Sequence, residues 1–344
     1  MIRYLVILLD DTSTSYCHYD NCGIRHSLIS LDDLKAGVLY AMKENLMIQF
    51  VYPDYELSDE YKEIINSIDH SDIVSSLCED KSLLDDADVI VMHGWAAMES
   101  VTFKESSAYV LRTSKEDLFG RYQFLKSVIG KVKRLNIVIT NVENFTNEDY
   151  GKYKTVLSSL SDSIEKLYLD GKSPQLNILT DRLILDRMNN CNAGWENVTL
   201  APDGKFYVCP AFYCSQAFDG TETTIGEMAE KGYSIGDLRL GLNIKNPQLY
   251  RLDHASICRN CDAYQCRRCV WLNRKTTCEV NTPSREQCIV AHLERNASRG
   301  LLNSIRNRIN FLPGKQEIKE IDYLDPFDKR DQWDNINIED RYAE

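Results

Sequence analysis

Apolar runs rich in β-branched residues alternate with stretches of helical spacing through the first half of the chain. The runs read YLVILL, IQFVY, DVIVM, AYVLR, NIVIT and LNILT. Between them, apolar positions recur at helical intervals over 31–46, 60–68, 115–132 and 147–169. Strands that are apolar on both faces and separated by helices are typical of a parallel sheet covered by helices. The pattern therefore predicts an α/β fold of about six β/α units, either a partial barrel or an open doubly wound sheet.

The second half of the chain has short polar segments, turns and many cysteines after residue 185. Its stretch VTLAPDGKFYVCPA predicts a hairpin, because the Pro-Asp-Gly triplet forms a tight turn between two apolar segments. The last residues, 315–344, contain ten acidic and five basic residues, which predicts an extended or docking tail. We predict three parts: a β/α domain at 1–188, a cysteine-rich domain at 189–312 and an acidic tail at 313–344.

Composition and charge narrow the classes of function. The formal net charge is −12, which argues against a nucleic-acid-binding protein because phosphate neutralisation needs a basic surface. The first apolar run ends at Asp10 and Asp11, so it is too short to span a membrane and lacks a signal-type cleavage site. We predict a cytoplasmic protein whose partners are small molecules, peptides or proteins, with neither nucleic acid nor a membrane among them.

The cysteines carry the most specific chemical signal. Nine of the twelve crowd into the second half, and a chain in a reducing compartment rarely uses a disulfide framework. Two Cys-x2-Cys pairs stand four residues apart, which suits a tetrahedral metal ion or iron–sulfur ligation. Segment 258–308 also has ten basic and four acidic residues, and cations offset the negative charge of thiolate-bound metal. The candidate metal ligands are Cys191, Cys209, Cys214, Cys258, Cys261, Cys266, Cys269, Cys278 and Cys288.

This arrangement resembles the SPASM motif of peptide-modifying radical SAM enzymes, which holds two auxiliary [4Fe–4S] clusters. Cys191, Gly204 and Cys209 reproduce the first half of the motif, Cys-x(9–15)-Gly-x4-Cys. The second half matches with inner spacings of x4 and x2 where the motif has x5 and x3, so zinc stays open as an alternative metal. Iron–sulfur is favoured because one zinc ion needs only four thiolates and nine are present.

Carried over by position, the resemblance divides the cysteines between two clusters. It implies Cys191, Cys209 and Cys269 for the first cluster, with Cys214 as a candidate fourth ligand. For the second cluster it implies three ligands and one of two closing cysteines: Cys258, Cys261 and Cys266, with Cys278 or Cys288.

The predicted β/α units also fit the partial (β/α)6 barrel of radical SAM enzymes. In those enzymes Cys-x3-Cys-x2-Cys in the loop after the first strand holds the cluster that cleaves S-adenosylmethionine, and no three cysteines of this chain have that spacing. The loop after Leu9 offers only Cys17 and Cys22, so S-adenosylmethionine is not expected as a cofactor. The start VILLDDTSTSYCHY, the segment MKENLMIQFVYP and the cysteine-rich end resemble the CXXX-repeat peptide maturase family, whose members are SPASM-type companions of radical SAM enzymes.

Residues at the ends of the predicted strands are candidates for a substrate pocket, because β/α barrels carry their chemistry there. Each is also a common strand-end cap. These residues are Asp10, Asp11, Tyr52, His93, Arg112, Asn141 and Asp181. In the first loop, Cys17, His18, Cys22 and His26 either bind a metal or are the remnant of a cluster loop that is kept as structure.

The resemblance implies an accessory protein rather than an enzyme that itself cleaves S-adenosylmethionine. We predict an iron–sulfur companion of a separate radical SAM enzyme, which binds or presents a ribosomally made, cysteine-rich precursor peptide. Two alternatives stay open: a zinc-stabilised peptide-binding scaffold with no redox role, and an active radical SAM enzyme with an atypical cluster loop.

Overall fold

The computed structural model describes residues 2–20, 26–218 and 233–313. Cys22 and the tail from residue 314 onward therefore lie outside the described residues. None of the helices within those ranges is long and apolar enough to cross a membrane.

Strands of the described residues form one large sheet and one small antiparallel pair. The large sheet contains β1 Tyr4–Leu8, β2 Met47–Val51, β3 His70–Ser75, β4 Val89–His93, β5 Ala108–Thr113, β6 Arg134–Ile139, β7 Gln175–Leu176, β8 Asn197–Leu200 and β9 Phe206–Tyr207. The small pair is β10 Gly236–Asp237 with β11 Gly241–Leu242.

The helices connect the strands of the first half and make up much of the second. They are α1 Leu31–Glu44, α2 Asp59–Ile65, α3 Lys81–Asp86, α4 Trp95–Ser100, α5 Lys115–Ile129, α6 Asn147–Leu169, α7 Asp181–Ile184, α8 Pro210–Phe218, α9 Val270–Thr277 and α10 Arg285–Arg306. Polar side chains cap several helix starts; Ser30, for example, accepts a hydrogen bond from the backbone N–H of Asp33 at the start of α1.

The parallel strands β1 to β7 lie side by side in chain order. This order is that of a β/α barrel, whereas a doubly wound sheet reverses its strand order part-way. The predicted partial barrel is therefore confirmed. The sequence pattern does not predict β3, because its first three residues, His70, Ser71 and Asp72, are polar.

The two faces of the sheet have separate cores, as the alternation of side chains along a strand requires. In β1, Leu5 and Ile7 join the large core of the helices, whereas Val6 and Leu8 face the other side. On that inner face the strand residues pack with three residues from elsewhere in the chain: Tyr19, Ala211 and Cys214. The interior of the partial barrel is thus filled partly by the first loop and by α8.

The predicted hairpin is present and extends the main sheet. Strand β8 pairs in parallel with β1, and β9 returns antiparallel to β8. Gly204 in the turn has φ +73°, a conformation that glycine adopts without strain. Strand pairing thus continues past residue 188, where the sequence predicts a domain boundary.

The C-terminal helix α10 packs against α6 and ties the cysteine-rich region to the barrel. Tyr153 on α6 donates a hydrogen bond to Glu294 Oε1 at 2.7 Å, and Ser298 Oγ donates to the carbonyl of Leu179 at 2.7 Å. Both contacts are buried. The segment that carries the last cysteines is therefore held in a fixed position relative to the strands.

Candidate functional site

The loop after β1 folds across the ends of the parallel strands. Thr14 N–H donates to the carbonyl of Tyr52 at 3.0 Å, next to the end of β2. Further along, His18 Nδ1 lies 3.1 Å from the carbonyl of Ile139 at the end of β6. Burial lowers the pKa of His18 to about 4, so its ring is neutral at physiological pH. The loop therefore reaches from β2 to β6 over the barrel mouth.

Arg112, one of the predicted rim residues, holds this loop in place. It lies at the end of β5 and is only 7% exposed. Its Nε donates to the carbonyl of Cys17 at 2.9 Å, and its Nη2 donates to the carbonyl of Tyr19 at 2.5 Å and to Asp20 Oδ1 at 3.0 Å. A buried guanidinium that satisfies two backbone carbonyls fixes the path of the chain.

His93, also predicted at the rim, connects Arg112 to the start of the same loop. Arg112 Nη1 donates to His93 Nδ1 at 3.2 Å, and His93 Nε2 lies 2.8 Å from Thr14 Oγ1. Burial first, and then the positive charge of Arg112, lower the pKa of His93. A neutral His93 can accept from Arg112 at one nitrogen and donate to Thr14 at the other.

We expect Arg112→Met to loosen the first loop. The change leaves two buried carbonyls without their charged donor, which costs about 3 kcal/mol of the free energy of unfolding. Hydrogen exchange of residues 12–20 should become faster, and the melting temperature should fall. Arg121→Met, at an exposed position of α5, is the matched control and should change neither quantity. Unchanged exchange of the loop in the Arg112 variant would contradict the anchoring role.

A first group of thiols brings together the loop and the cysteine-rich region. Cys17 and Cys209 both pack against the inner-face core that contains Leu8. Cys191 and Cys209 both pack against a second core around Val270, and Trp271 contacts both cores. The backbone N–H of Cys191 donates to the carbonyl of Arg267 at 2.7 Å, two residues before Cys269. Four cysteines from distant parts of the sequence therefore converge: Cys17, Cys191, Cys209 and Cys269.

Their electrostatics agree with this convergence. Burial raises the pKa of Cys17 to about 12, and repulsion by the Cys191 thiolate adds to the rise. Burial also raises the pKa of Cys209, with contributions from Cys191, Cys269 and Cys17. The pKa of Cys269 is raised by burial, then by Cys191 and Cys17. Thiolates at these positions repel one another, so a bound cation is what would hold them deprotonated.

A second group contains Cys258, Cys261 and Cys266, which share a small core with Met188 and Ala255. The N–H groups of Ala263 and Arg268 donate to the sulfurs of Cys261 and Cys266 at 3.4 Å. Burial raises the pKa of Cys266, and the thiolates of Cys258 and Cys261 add to the rise. Backbone N–H groups aimed at sulfur are typical of loops that bind metal through thiolates.

Helix α10 borders this second group. His292 Nε2 lies 3.4 Å from Cys261 Sγ. Cys288 stands four residues before His292, one turn earlier on the same helix and about 6 Å along its axis. Cys278, the other predicted closing ligand, is exposed at the end of α9. The geometry thus favours α10 as the source of the fourth donor, and the choice of ligand stays a prediction.

Cys214 shares the inner-face core with Cys17 and Cys209 of the first group. It is buried on α8 among the residues of the inner-face core and is disulfide-bonded. Of Cys17 and Cys214, which both lie in the core that Cys209 contacts, Cys17 has the free thiol.

Arg268 lies between the two groups. Its side chain is 1% exposed, and its charge interacts with Cys258 and Cys266 of one group and with Cys191 of the other. Three hydrogen bonds fix the guanidinium: to Asn190 Oδ1 at 2.8 Å, to Asn281 Oδ1 at 2.6 Å and to the carbonyl of Tyr250 at 2.5 Å. One buried cation is therefore shared by both sets of thiols.

The side chains of the two thiol groups are of the types that bind iron–sulfur clusters. Each group offers at least three buried or half-buried thiols, cationic side chains and N–H donors to sulfur, as clusters of this type require. Within the described ranges, no three histidine, cysteine, aspartate or glutamate side chains are gathered tightly enough to hold a single metal ion.

The remaining rim residues support local structure. Asp10 is fully buried and accepts hydrogen bonds from Thr12 and Tyr55. Asp11 accepts from the N–H of Ser27. The others have similar contacts: Asn141 with Lys115 and Glu116, Asp181 with Arg134, and Tyr52 with Asp72.

The sequence does not predict three features of this site. They are the position of Cys17 beside the C-terminal cysteines, the cation at Arg268 and the contact of His292 with Cys261. Only Arg268 could have been found from the sequence. It directly precedes Cys269, a candidate ligand, and an arginine in that position is well placed to balance thiolate charge.

Comparison with solved structures identifies the fold. No family model matches the chain, and no curated protein matches it. Similar solved structures include several of anSMEcpe with bound AdoMet. The chain has the fold of these anSMEcpe structures. Its membership of the CXXX-repeat peptide maturase family remains a prediction.

The likeness extends over most of both chains at low sequence identity. Native anSMEcpe with AdoMet has a TM-score of 0.55 and 13% identity, over 89% of this chain and 100% of the other. The form with AdoMet and the Cp18Cys peptide has a TM-score of 0.55 and 11% identity, over 89% and 100%. A hexahistidine-tagged form with AdoMet has a TM-score of 0.57 and 11% identity, over 91% and 97%.

Proposed function

We propose that this protein is an iron–sulfur accessory protein in the maturation of a ribosomally made, cysteine-rich peptide, and that a separate radical SAM enzyme starts the radical reaction. One observation carries the proposal: the loop after β1, which lacks the Cys-x3-Cys-x2-Cys motif, lies across the strand ends and is anchored there by Arg112. The cysteine-rich region nevertheless keeps two groups of thiols.

The peptide as substrate is supported by the fold. The structure of anSMEcpe with AdoMet and the Cp18Cys peptide shares its architecture with this chain over 89% of the length. We extend only the class of substrate, a peptide, to this protein. A cysteine-rich peptide is favoured because a thiol is a natural ligand for an accessible iron site.

Each part of the chain has a separate task. Arg112 and His93 hold the first loop over the barrel mouth, while the two thiol groups hold the metal. The centres, when bound, would coordinate a substrate thiol or pass on an electron. The buried guanidinium of Arg268 balances thiolate charge, and the hydrophobic residues around each group, such as Trp271 and Met188, restrict the access of water.

One observation favours a second candidate function. The contact of His292 Nε2 with Cys261 Sγ places an imidazole beside a group of three cysteines. Cys3His is a donor set of structural zinc sites. A zinc-stabilised peptide-binding scaffold without redox chemistry would use this set. Its four side chains would have to move closer together on binding, because within the described residues they are not gathered around one ion. Metal analysis separates the scaffold from the iron–sulfur protein.

The accessory role is tested by reconstitution. Holoprotein given S-adenosylmethionine and dithionite should form no 5′-deoxyadenosine. A radical SAM peptide maturase and a cysteine-rich precursor peptide from the same genome should then modify the peptide only when this chain is present. Mass spectrometry of the peptide reports the product, and the Arg112→Met variant tests whether the anchored loop is needed.

Two results would refute the accessory role. If the holoprotein alone produces 5′-deoxyadenosine, it is an active radical SAM enzyme with an atypical cluster loop. If the maturase modifies the peptide equally well without this chain, the accessory role fails.

A further inference from the structure

Cys17 occupies a position that its place in the sequence does not explain. It belongs to the loop after β1, yet it packs against the same core as Cys209, which lies almost two hundred residues later in the chain. Arg112 fixes the backbone at Cys17 by a 2.9 Å hydrogen bond to its carbonyl. The thiol is therefore held beside the cysteine-rich region by the barrel itself.

The thiol group that Cys17 joins is otherwise one donor short. Cys17 and Cys209 pack against one core, Cys191 and Cys209 against a second, and the N–H of Cys191 donates to the carbonyl of Arg267, two residues before Cys269. Cys214, the candidate fourth ligand of the sequence resemblance, lies in the same core as Cys17 and Cys209 but is disulfide-bonded. Four thiolates are the usual complement of a [4Fe–4S] cluster.

Two cationic side chains lie near Cys17. They are Arg112, which is hydrogen-bonded to the Cys17 carbonyl, and Arg267, whose charge interacts with that of Cys17. Arg267 belongs to the segment Cys266–Cys269, and its carbonyl accepts from the N–H of Cys191. The same short segment thus places a cation near Cys17 and orients the backbone of a second member of the group.

We propose that Cys17 supplies the fourth thiolate of a metal centre whose other ligands are Cys191, Cys209 and Cys269. Each thiol loses its proton on binding, so the centre forms with release of protons and without change of oxidation state at sulfur. The inference rests on the metal assigned to this group in the proposed function and does not depend on the accessory role.

Such a centre joins the first loop to the cysteine-rich region. In radical SAM enzymes the loop after β1 holds the cluster that starts the radical reaction. In this chain Cys17 of that loop would instead be a ligand of a different centre. Cluster binding should accordingly order residues 12–20 as well as the second half of the chain, because the loop and the C-terminal thiols share one cluster.

The test measures metal in the full-length protein. Cys17→Ala and Cys17→Ser are purified anaerobically beside wild type and Cys78→Ala, a control in which a buried cysteine outside both groups is changed. We expect both Cys17 variants to lose about one cluster, roughly four iron ions per chain, or to show the EPR signal of a three-iron cluster. Cys78→Ala should keep the wild-type content. Cys17→Ser keeps the size of the side chain and decides the question if Cys17→Ala does not fold.

Hydrogen exchange provides a second readout. Loading with metal should slow exchange of residues 12–20 in wild type and in Cys78→Ala, and should not do so in Cys17→Ser. The inference is overturned if Cys17→Ser retains the wild-type metal content, EPR spectrum and loop protection. That result would leave the proposed function standing, whereas wild-type protein without any bound metal would remove the proposed function itself.

Discussion

Anaerobically purified protein is expected to be brown, with broad absorbance near 400 nm and more than about four iron ions per chain with matching sulfide. The reason is the number and burial of the thiols. Two groups of at least three cysteines each lie in sites where burial raises the pKa of Cys209 and Cys266, so the free thiolates are unfavourable without a cation.

A double variant should separate the two centres. Cys258→Ala with Cys261→Ala removes two of the three clustered thiols of the second group and should lower the iron by about one cluster. The cysteine-rich region should also melt at a lower temperature, since metal binding and folding are coupled and a structural metal contributes on the order of 10 kcal/mol. Thermal denaturation followed by circular dichroism measures this loss.

Two single variants distinguish the candidate closing ligands of the second group, Cys278 and Cys288. Cys278→Ser changes an exposed thiol at the end of α9 and should leave the metal content as it is. Cys288→Ser changes α10 one turn before His292 and should reduce occupancy of the second centre. A colourless wild-type protein with one or two zinc ions and no sulfide would contradict the iron–sulfur prediction and support the zinc scaffold.

The sequence predicts the sheet well because strand burial repeats along the chain. Leu5 to Leu8 are apolar at every position, as expected of a strand that is buried on both faces. Strands β2, β4, β5 and β6 are apolar over most of their length. Strand β3 is missed because it begins with His70, Ser71 and Asp72. This segment forms a strand because it pairs with β2 and β4, and the local sequence pattern carries no information about that pairing.

The candidate site could be predicted only where its members are close in sequence. The spacing of Cys258, Cys261 and Cys266 by itself indicates a metal-binding loop. The position of Cys17 depends on how β1 and its loop meet the segment around Cys269, and this contact is set by tertiary packing. The sequence correctly places His93 and Arg112 at strand ends, but the structure shows them bound to the loop that covers those ends.

Arg268→Gln is expected to damage both centres at once. The guanidinium donates to Asn190, Asn281 and the carbonyl of Tyr250, and hydrogen bonds of a charged group contribute about 1.5–3 kcal/mol each. Arg268 also has φ 36°, a conformation that costs a side-chain-bearing residue about 1 kcal/mol. The three hydrogen bonds of this side chain, which is 1% exposed and connects three separate segments, offset this cost.

The loss of the Arg268 charge should also change the reduction potentials of both centres. Because the Arg268 cation interacts with Cys191 in one group and with Cys258 and Cys266 in the other, its removal should make both centres harder to reduce. Arg268→Lys keeps a positive charge but loses the planar guanidinium with its several N–H donors. It should therefore lower the stability, while the reduction potentials stay closer to those of wild type than in Arg268→Gln. Potentiometric titration and thermal denaturation of the two variants separate charge from packing.

The control for Arg268 is Arg259→Gln, an exposed arginine in the turn between Cys258 and Cys261. It removes the same charge close in sequence to the second group, but water screens that charge at the surface. We therefore expect little change in melting temperature and a much smaller shift of potential. If Arg259→Gln and Arg268→Gln shift both potentials equally, the effect is one of net charge, and Arg268 does not act as the buried cation between the two centres.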